Sequence, residues 1–171
     1  MLTGLVMLYV GVVLFQNGIW LKGMVGDKEI VFPNIVAGVV FAAVSLILVI
    51  GSGVTLPAVK ASALILLFGV TFFWVAFNQR SGSDGRGLGW YCLTVAAVLI
   101  PTAVESYQTA NSTWEYWFAV SCVLWAALYL LFFLLLSRGA KIGGITGSLS
   151  LVNSMVTGFV PGYLLLNHHI S

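Results

Sequence analysis

Six long apolar stretches separated by short polar gaps account for almost the whole chain. They run over about Leu2–Leu21, Pro33–Gly51, Pro57–Asn78, Leu88–Tyr107, Trp114–Leu136 and Ile142–Asn167. Each approaches the roughly 20 mostly apolar residues that carry a helix across a bilayer. Backbone polar groups in hydrocarbon must bond internally, so helices are the predicted elements; six weakly alternating strands would not close a barrel. The gaps carry the punctuation. Gly26-Asp27-Lys28-Glu29 predicts a short loop, and Pro33 sits in the first turn of the second stretch, where its missing N–H costs little. Gly51-Ser52-Gly53 and Pro57 predict a tight turn. The segment from Gln79 to Gly87 is the most polar of the chain and must lie in water. Pro101 and Pro161 fall inside the fourth and sixth stretches.

Charge orients these elements. Lys22 and Lys28 occupy the first gap, Arg80 and Arg86 the third, Arg138 and Lys141 the fifth, while Lys60 stands alone at the far edge of the second. Basic residues near span ends are retained on the cytoplasmic side. The first, third and fifth gaps are therefore expected inside, with both chain ends outside. Composition agrees, with 60% apolar and 7% charged residues against about a quarter charged in a soluble domain. The 171 residues are expected to form one six-helix transmembrane domain, residues 1–171, with no room for a soluble one. A net charge of +2, widely scattered, excludes nucleic acid as a partner. Nothing basic precedes the first stretch, which is also longer than a signal core, so it reads as an N-out span rather than a cleaved leader.

Small and sulfur-bearing residues add little chemistry. Gly4, Gly11 and Gly18 recur every seven residues, and Gly143-xxx-Gly147 and Gly158-xxx-Gly162 mark the last stretch. Such faces let membrane helices approach closely, within or between subunits. Cys92 and Cys122 have neither metal-ligand spacing nor a nearby His and read as small buried hydrophobes, so no metal and no cofactor is implied. No Asp, Glu, Lys, Arg or His falls near the centre of any stretch; Glu105, Glu115 and Lys60 stand near outer ends. Proton relays, ion carriers and voltage sensors need such groups in the membrane. Acid–base and nucleophilic catalysis need them as well, so an enzyme is not expected.

What the stretches do contain is aromatic rings and a few neutral amides. Trp114, Trp117, Phe118, Trp125 and Tyr129 share one broad face of the fifth stretch, and Phe68, Phe72, Trp74 and Phe77 lie in the third. Trp114 and Trp117 suit an interfacial belt. Trp125 lies too deep for that, and its indole N–H needs a partner. On the sequence alone it is equally a core residue or a pore wall. Asn17 and Asn153 must likewise find partners if buried. They either tie helices together or offer a donor and acceptor to a small polar solute.

Four separated segments bear a specific likeness. Met1–Gly11 (MLTGLVMLYVG) with Asn17-Gly18, Phe68–Asn78 (FGVTFFWVAFN), Leu88-Gly89-Trp90-Tyr91, and Trp125 to Tyr129 resemble the AmiS/UreI family of urea and short-chain amide channels. The likeness spans essentially the whole chain, helix number and orientation included. It implies a multi-pass protein of the bacterial inner membrane and a ring of six protomers, a homohexamer with lipid filling its middle. Each protomer would have its own pore, walled by spans one, three, five and six. By this resemblance Met7, Val10, Leu14 and Asn17 form the stripe on span one, which helical spacing permits. Phe68 and Phe72 would come from span three, and Leu124, Trp125, Leu128 and Tyr129 from span five. Asn153 stands where some members carry Glu.

The implied activity is passive passage of urea, acetamide and similar short aliphatic amides toward a cytoplasmic amidase or urease. Flat neutral amides can turn their N–H groups to ring faces, and weak contacts let a channel both admit and release. A hydrated ion would lose its shell with nothing in exchange. Met7, Leu14 and Leu128 are the expected narrow points, with Asn17 and Asn153 helping the solute shed water. Acid-gated members carry longer, His-bearing external loops. Here Gly51–Leu56 and Gln108–Thr113 have no His, and only His168 and His169 lie outside, so an ungated channel is expected. The competing expectations are a proton-gated urea channel and a membrane scaffold or assembly subunit whose aromatic face docks a partner.

Overall fold

The computed structural model describes residues 1–51 and 53–170, so Ser52 of the predicted turn and the terminal Ser171 lie outside the described residues. Five continuous helices come first: α1 (Leu2–Leu21), α2 (Val31–Gly51), α3 (Leu56–Ser81), α4 (Arg86–Thr109) and α5 (Thr113–Arg138). The last span, Gly143–Leu166, is compound. It consists of α6 (Gly143–Asn153), a π-helical segment (Ser154–Phe159) and α7 (Val160–Leu166). All six spans are long and apolar enough to cross a membrane, and the chain is a multi-pass membrane protein. Short connections reverse the chain after each span. Lys22, Lys28, Arg80, Arg86, Arg138 and Lys141 therefore gather at one end of the bundle, called here the basic end, and Lys60 lies at the other.

The helices outrun the apolar stretches where caps sustain them. α3 continues through Gln79 and Arg80 to Ser81, so part of the segment expected in a loop is helical. Gly82, at φ +72°, then turns the chain in a conformation that side-chain-bearing residues rarely adopt, and its N–H closes on the Asn78 carbonyl at 2.9 Å. Gly85, at φ +78°, opens α4 two residues before the predicted start. There the Asp84 carboxylate accepts from the Arg86 backbone N–H at 3.0 Å and from its Nε at 2.7 Å. These bonds, the backbone one first, hold the Asp84 carboxyl below its ordinary range. At α5, Ser112 Oγ accepts from the Glu115 N–H at 3.3 Å while Glu115 Oε2 accepts from the Asn111 N–H at 2.6 Å.

Helix α1 is the spine, and the glycines explain why. A Cβ placed on Gly158 would collide with the backbone of Gly11, and one on Gly162 would come 2.7 Å from the Leu8 nitrogen. Gly147 would meet the Gly18 carbonyl at 3.0 Å, and Gly4 the Leu166 side chain at 2.9 Å. The small-residue faces predicted from the sequence therefore seat the last span against α1 within one chain. Helices α4 and α5 pair closely, as do α2 and α3. Ser45 and Ser62 tie the latter pair, each hydroxyl donating to the other's carbonyl at 3.1 and 3.0 Å.

The π-helical segment has a chemical cause that periodicity does not show. Pro161 has no N–H and its ring crowds the carbonyl four residues back, so the ordinary ladder fails there. The Val160 N–H reaches back to the Met155 carbonyl, one residue further than an α-helix allows. The next carbonyl in that pattern, Val156, would need its donor from Pro161. It receives one from Trp117 on α5 instead, whose Nε1 donates at 2.8 Å. Trp117 was expected in an interfacial belt; it has this specific protein partner.

Candidate functional site

Two cavities lie end to end along α1. One, toward the basic end, has a volume of about 40 Å³ and reaches from Val10 through Leu14 to Asn17. The other, of about 150 Å³, begins at Thr3 and passes Val6 and Met7. Phe68 and Trp125 line both. These two rings meet edge to face, centroids 5.1 Å apart at 75°, and form the partition between the cavities. Neighbouring rings fix them. Phe68 stacks on Tyr129 at 5.6 Å and 14°, and Phe118 abuts Trp125 at 6.0 Å.

Polar atoms in this ring cluster are internally bonded, as buried donors must be in a low-dielectric interior. Trp125 Nε1 donates to Thr157 Oγ1 at 2.8 Å, and Thr157 donates in turn to the Asn153 carbonyl at 2.7 Å. Tyr129 donates to Thr71 Oγ1 at 3.1 Å, and Thr71 to the Leu67 carbonyl at 3.1 Å. Trp125 and Tyr129 are thus anchored at their polar tips, and Phe68 is held between them by ring contacts. No Asp, Glu, Lys, Arg or His lines either cavity.

Of the residues singled out from the sequence, Val10, Leu14, Asn17, Phe68, Phe72, Trp125, Leu128 and Tyr129 line the basic-end cavity. Met7 lines the other. Leu124 and Asn153 border neither of these two. Asn153 is fully buried behind α5, with its Nδ2 donating to the Leu124 carbonyl at 3.2 Å and its Oδ1 left without a partner. Neither of these two cavities is lined by a residue of the last span; that span acts from behind, through Thr157. Two helices not anticipated as walls contribute: α4 with Leu88 and Cys92 in one cavity and Leu99 in the other, and α2 with Leu48.

Three partners escaped the sequence reading. Thr71 lies on the helical face of Phe68 and Val75, so spacing alone could have found it. Asn34 could have been sought as the mate of Asn17, since both are polar interruptions in apolar stretches. Their amides pair reciprocally, Asn17 Nδ2 to Asn34 Oδ1 at 3.2 Å and Asn34 Nδ2 to Asn17 Oδ1 at 2.7 Å. Thr157 carried no sequence signal, because its position depends on the π-helical segment.

Comparison with known proteins gives this geometry a context. A family model described as the AmiS/UreI family transporter matches residues 2–169. A Rhodococcus erythropolis protein named as a candidate transporter, AmiS2, is 33% identical over 94% of this chain and 77% of its own length. The acid-activated urea channel of Helicobacter pylori strain J99 is 27% identical, covering 98% of this chain and 99% of its own. Among solved structures, the closed state of the H. pylori urea channel superposes with a TM-score of 0.88 at 29% identity, covering 98% of both chains. A crystal structure of the H. pylori channel gives a TM-score of 0.87 at 31% identity, with 99% of both chains covered. Family members and structural neighbours are channels and transporters, not enzymes. By match of sequence, helix arrangement and coverage alike, the chain belongs to the AmiS/UreI family of transporters.

Proposed function

We propose that this protein is a passive channel for urea, acetamide and similar short aliphatic amides, whose path runs through the two cavities and past the Phe68–Trp125 partition. The single observation carrying the reading is that both cavities border the same pair of rings, with walls free of acids and bases. A planar neutral solute meets ring faces there and is held weakly, as conduction requires. An ion finds no charge or carbonyl ring to replace its water. In this reading Met7, Val10, Leu14, Asn17, Phe72, Leu128 and Tyr129 wall the path. Leu124 and Asn153 shape it from the second layer, through their mutual bond.

The basic end faces the cytoplasm and both termini face outward, in a bacterial inner membrane, as the distribution of Lys and Arg favours. The protein works as a homo-oligomer, a ring of six by family resemblance, and delivers solute to a cytoplasmic amidase or urease. Flux is not strongly acid-gated, because the connections Gly51–Leu56 and Gln108–Thr113 hold no His. The test is stopped-flow re-swelling of proteoliposomes shrunk in acetamide or urea. Fast re-swelling, insensitive to membrane potential and nearly flat with pH, supports the reading; a need for a proton gradient overturns it. Comparing urea, formamide, acetamide and propionamide then ranks the substrates.

A further inference from the structure

We propose that Asn34 is a positioning residue that fixes the amide of Asn17 as a directional docking point for the carbonyl oxygen of a neutral solute. The inference rests on the amide-conduction reading above and deepens it. Asn34, on α2, is 0% exposed and lines neither cavity. Its Nδ2 donates one hydrogen to the Ile30 carbonyl at 2.8 Å and the other to Asn17 Oδ1 at 2.7 Å. A backbone carbonyl can only accept, so Ile30 dictates which end of the Asn34 amide is nitrogen. Asn34 then dictates Asn17. With Asn17 turned over, donor would face donor and acceptor would face acceptor at a buried contact. Orientation thus passes from a main-chain carbonyl of α2, through a buried side chain, to a residue on the cavity wall.

The pairing leaves Asn17 incompletely used. The two reciprocal bonds consume one of its two Nδ2 hydrogens and one Oδ1 lone pair. Other polar groups on the basic-end cavity have spent their hydrogens: Trp125 on Thr157, Tyr129 on Thr71, Thr71 on the Leu67 carbonyl. Cys92 has only a weak S–H to give. The spare N–H of Asn17 is therefore the strong donor available to a solute at this wall, and a carbonyl oxygen is its natural partner. The spare lone pair on the opposite edge of the same amide accepts an N–H. An amide or urea carbonyl oxygen bears more negative charge than a hydroxyl oxygen and accepts the spare Asn17 N–H more strongly, so an amide or urea is favoured over a hydroxylic solute of like size.

The experiment compares acetamide and ethylene glycol permeability in proteoliposomes of the wild type, Asn34→Leu, Asn34→Ala, Asn17→Leu and the double variant Asn17→Leu/Asn34→Leu. Gel filtration and melting in detergent check folding; either Asn34 variant suffices if the other is lost. The expected result is an acetamide-to-glycol ratio about fivefold lower in the Asn34 variants, the worth of one well-placed hydrogen bond. In the Asn17→Leu background, removing Asn34 should change the ratio no further, since it acts only through Asn17. An unchanged ratio in Asn34→Leu or Asn34→Ala overturns the assignment, as does an equal loss with and without Asn17, which marks a merely structural role. A wild type that passes no acetamide above protein-free liposomes overturns the conduction reading itself, a separately visible failure.

Discussion

At Trp125 one hydrogen bond decides how an indole presents itself. Its N–H is held by Thr157 at 2.8 Å, and the ring meets Phe68 in an edge-to-face contact while lining both cavities. Thr157→Val keeps the shape and removes the acceptor, leaving a buried donor unpaired at a cost of about 1–3 kcal/mol. We expect a lower melting temperature in detergent and a weaker preference for acetamide over propionamide as the ring loosens; unchanged size selection would show that the bond does not orient the wall. Trp125→Ala separates the channel from the scaffold reading, since a pore wall residue must alter solute flux in purified protein. Asp84 supplies the pH prediction. Its carboxyl is held low by Arg86. The capping contribution is therefore present above the ordinary carboxylate range and is lost as pH falls through the depressed folded value. Amide exchange at the start of α4 should quicken in the wild type only in strong acid, and already at neutral pH in Asp84→Asn. Helical spacing put the rings on shared faces, but that Phe68, Phe72, Trp125 and Tyr129 wall a cavity was expected only from the family resemblance, since spacing left Trp125 equally a core residue. Asn153 was not legible at this scale: its placement behind α5 depends on a bond to the Leu124 carbonyl that no pattern announces.

Elements answer to caps and to close approach more than to hydropathy. The six stretches identified every span, but helix ends shifted by a few residues where Gly82, Gly85 and Asp84 supply caps inside a polar segment. The π-helical segment could not be foreseen. Pro161 warned of a break, but its form depends on Trp117 reaching the Val156 carbonyl from another helix. That gives a coupled prediction. Trp117→Phe should lower thermal stability by orphaning the carbonyl, at about 1–3 kcal/mol. Pro161→Ala restores an N–H at that position, so the same Trp117→Phe change should cost much less in its background; additive losses would disprove the link. The glycines give a sharper contrast. Gly158→Ala drives a methyl into the Gly11 backbone and should prevent assembly of the bundle, whereas Gly144, with open space around its Cβ direction, should accept Ala without effect.

On the scale of the molecule, close packing and the two cavities involve different groups. The spine of α1 against the last span is close-packed through glycine, while the cavities lie between α1 and residues of α2, α3, α4 and α5. Charge contributes little to either. The Lys60–Glu105 pair joins α3 to α4 at 2.6 Å, but its side chains are 56% and 62% exposed. Glu105→Gln should shift stability by less than about 1 kcal/mol, and acetamide flux should stay level across mildly acidic and neutral pH. Whole-molecule architecture was the most legible level, because span count follows from hydropathy and the grouping of basic residues from their alternation. The partition between cavities was the least legible. It arises from a contact between two helices distant in sequence, and single-helix periodicity cannot report it.

That partition has a kinetic consequence. Rings whose centroids stand 5.1 Å apart in edge contact leave no room for a solute between them. On the proposed path each crossing waits for Phe68 or Trp125 to move aside, like a leaf of a turnstile, and the Trp125–Thr157 bond and the stacking of Phe68 on the Thr71-held Tyr129 oppose that movement. Throughput should then climb steeply with temperature, in the manner of an activated side-chain displacement rather than of free diffusion through a wet tube.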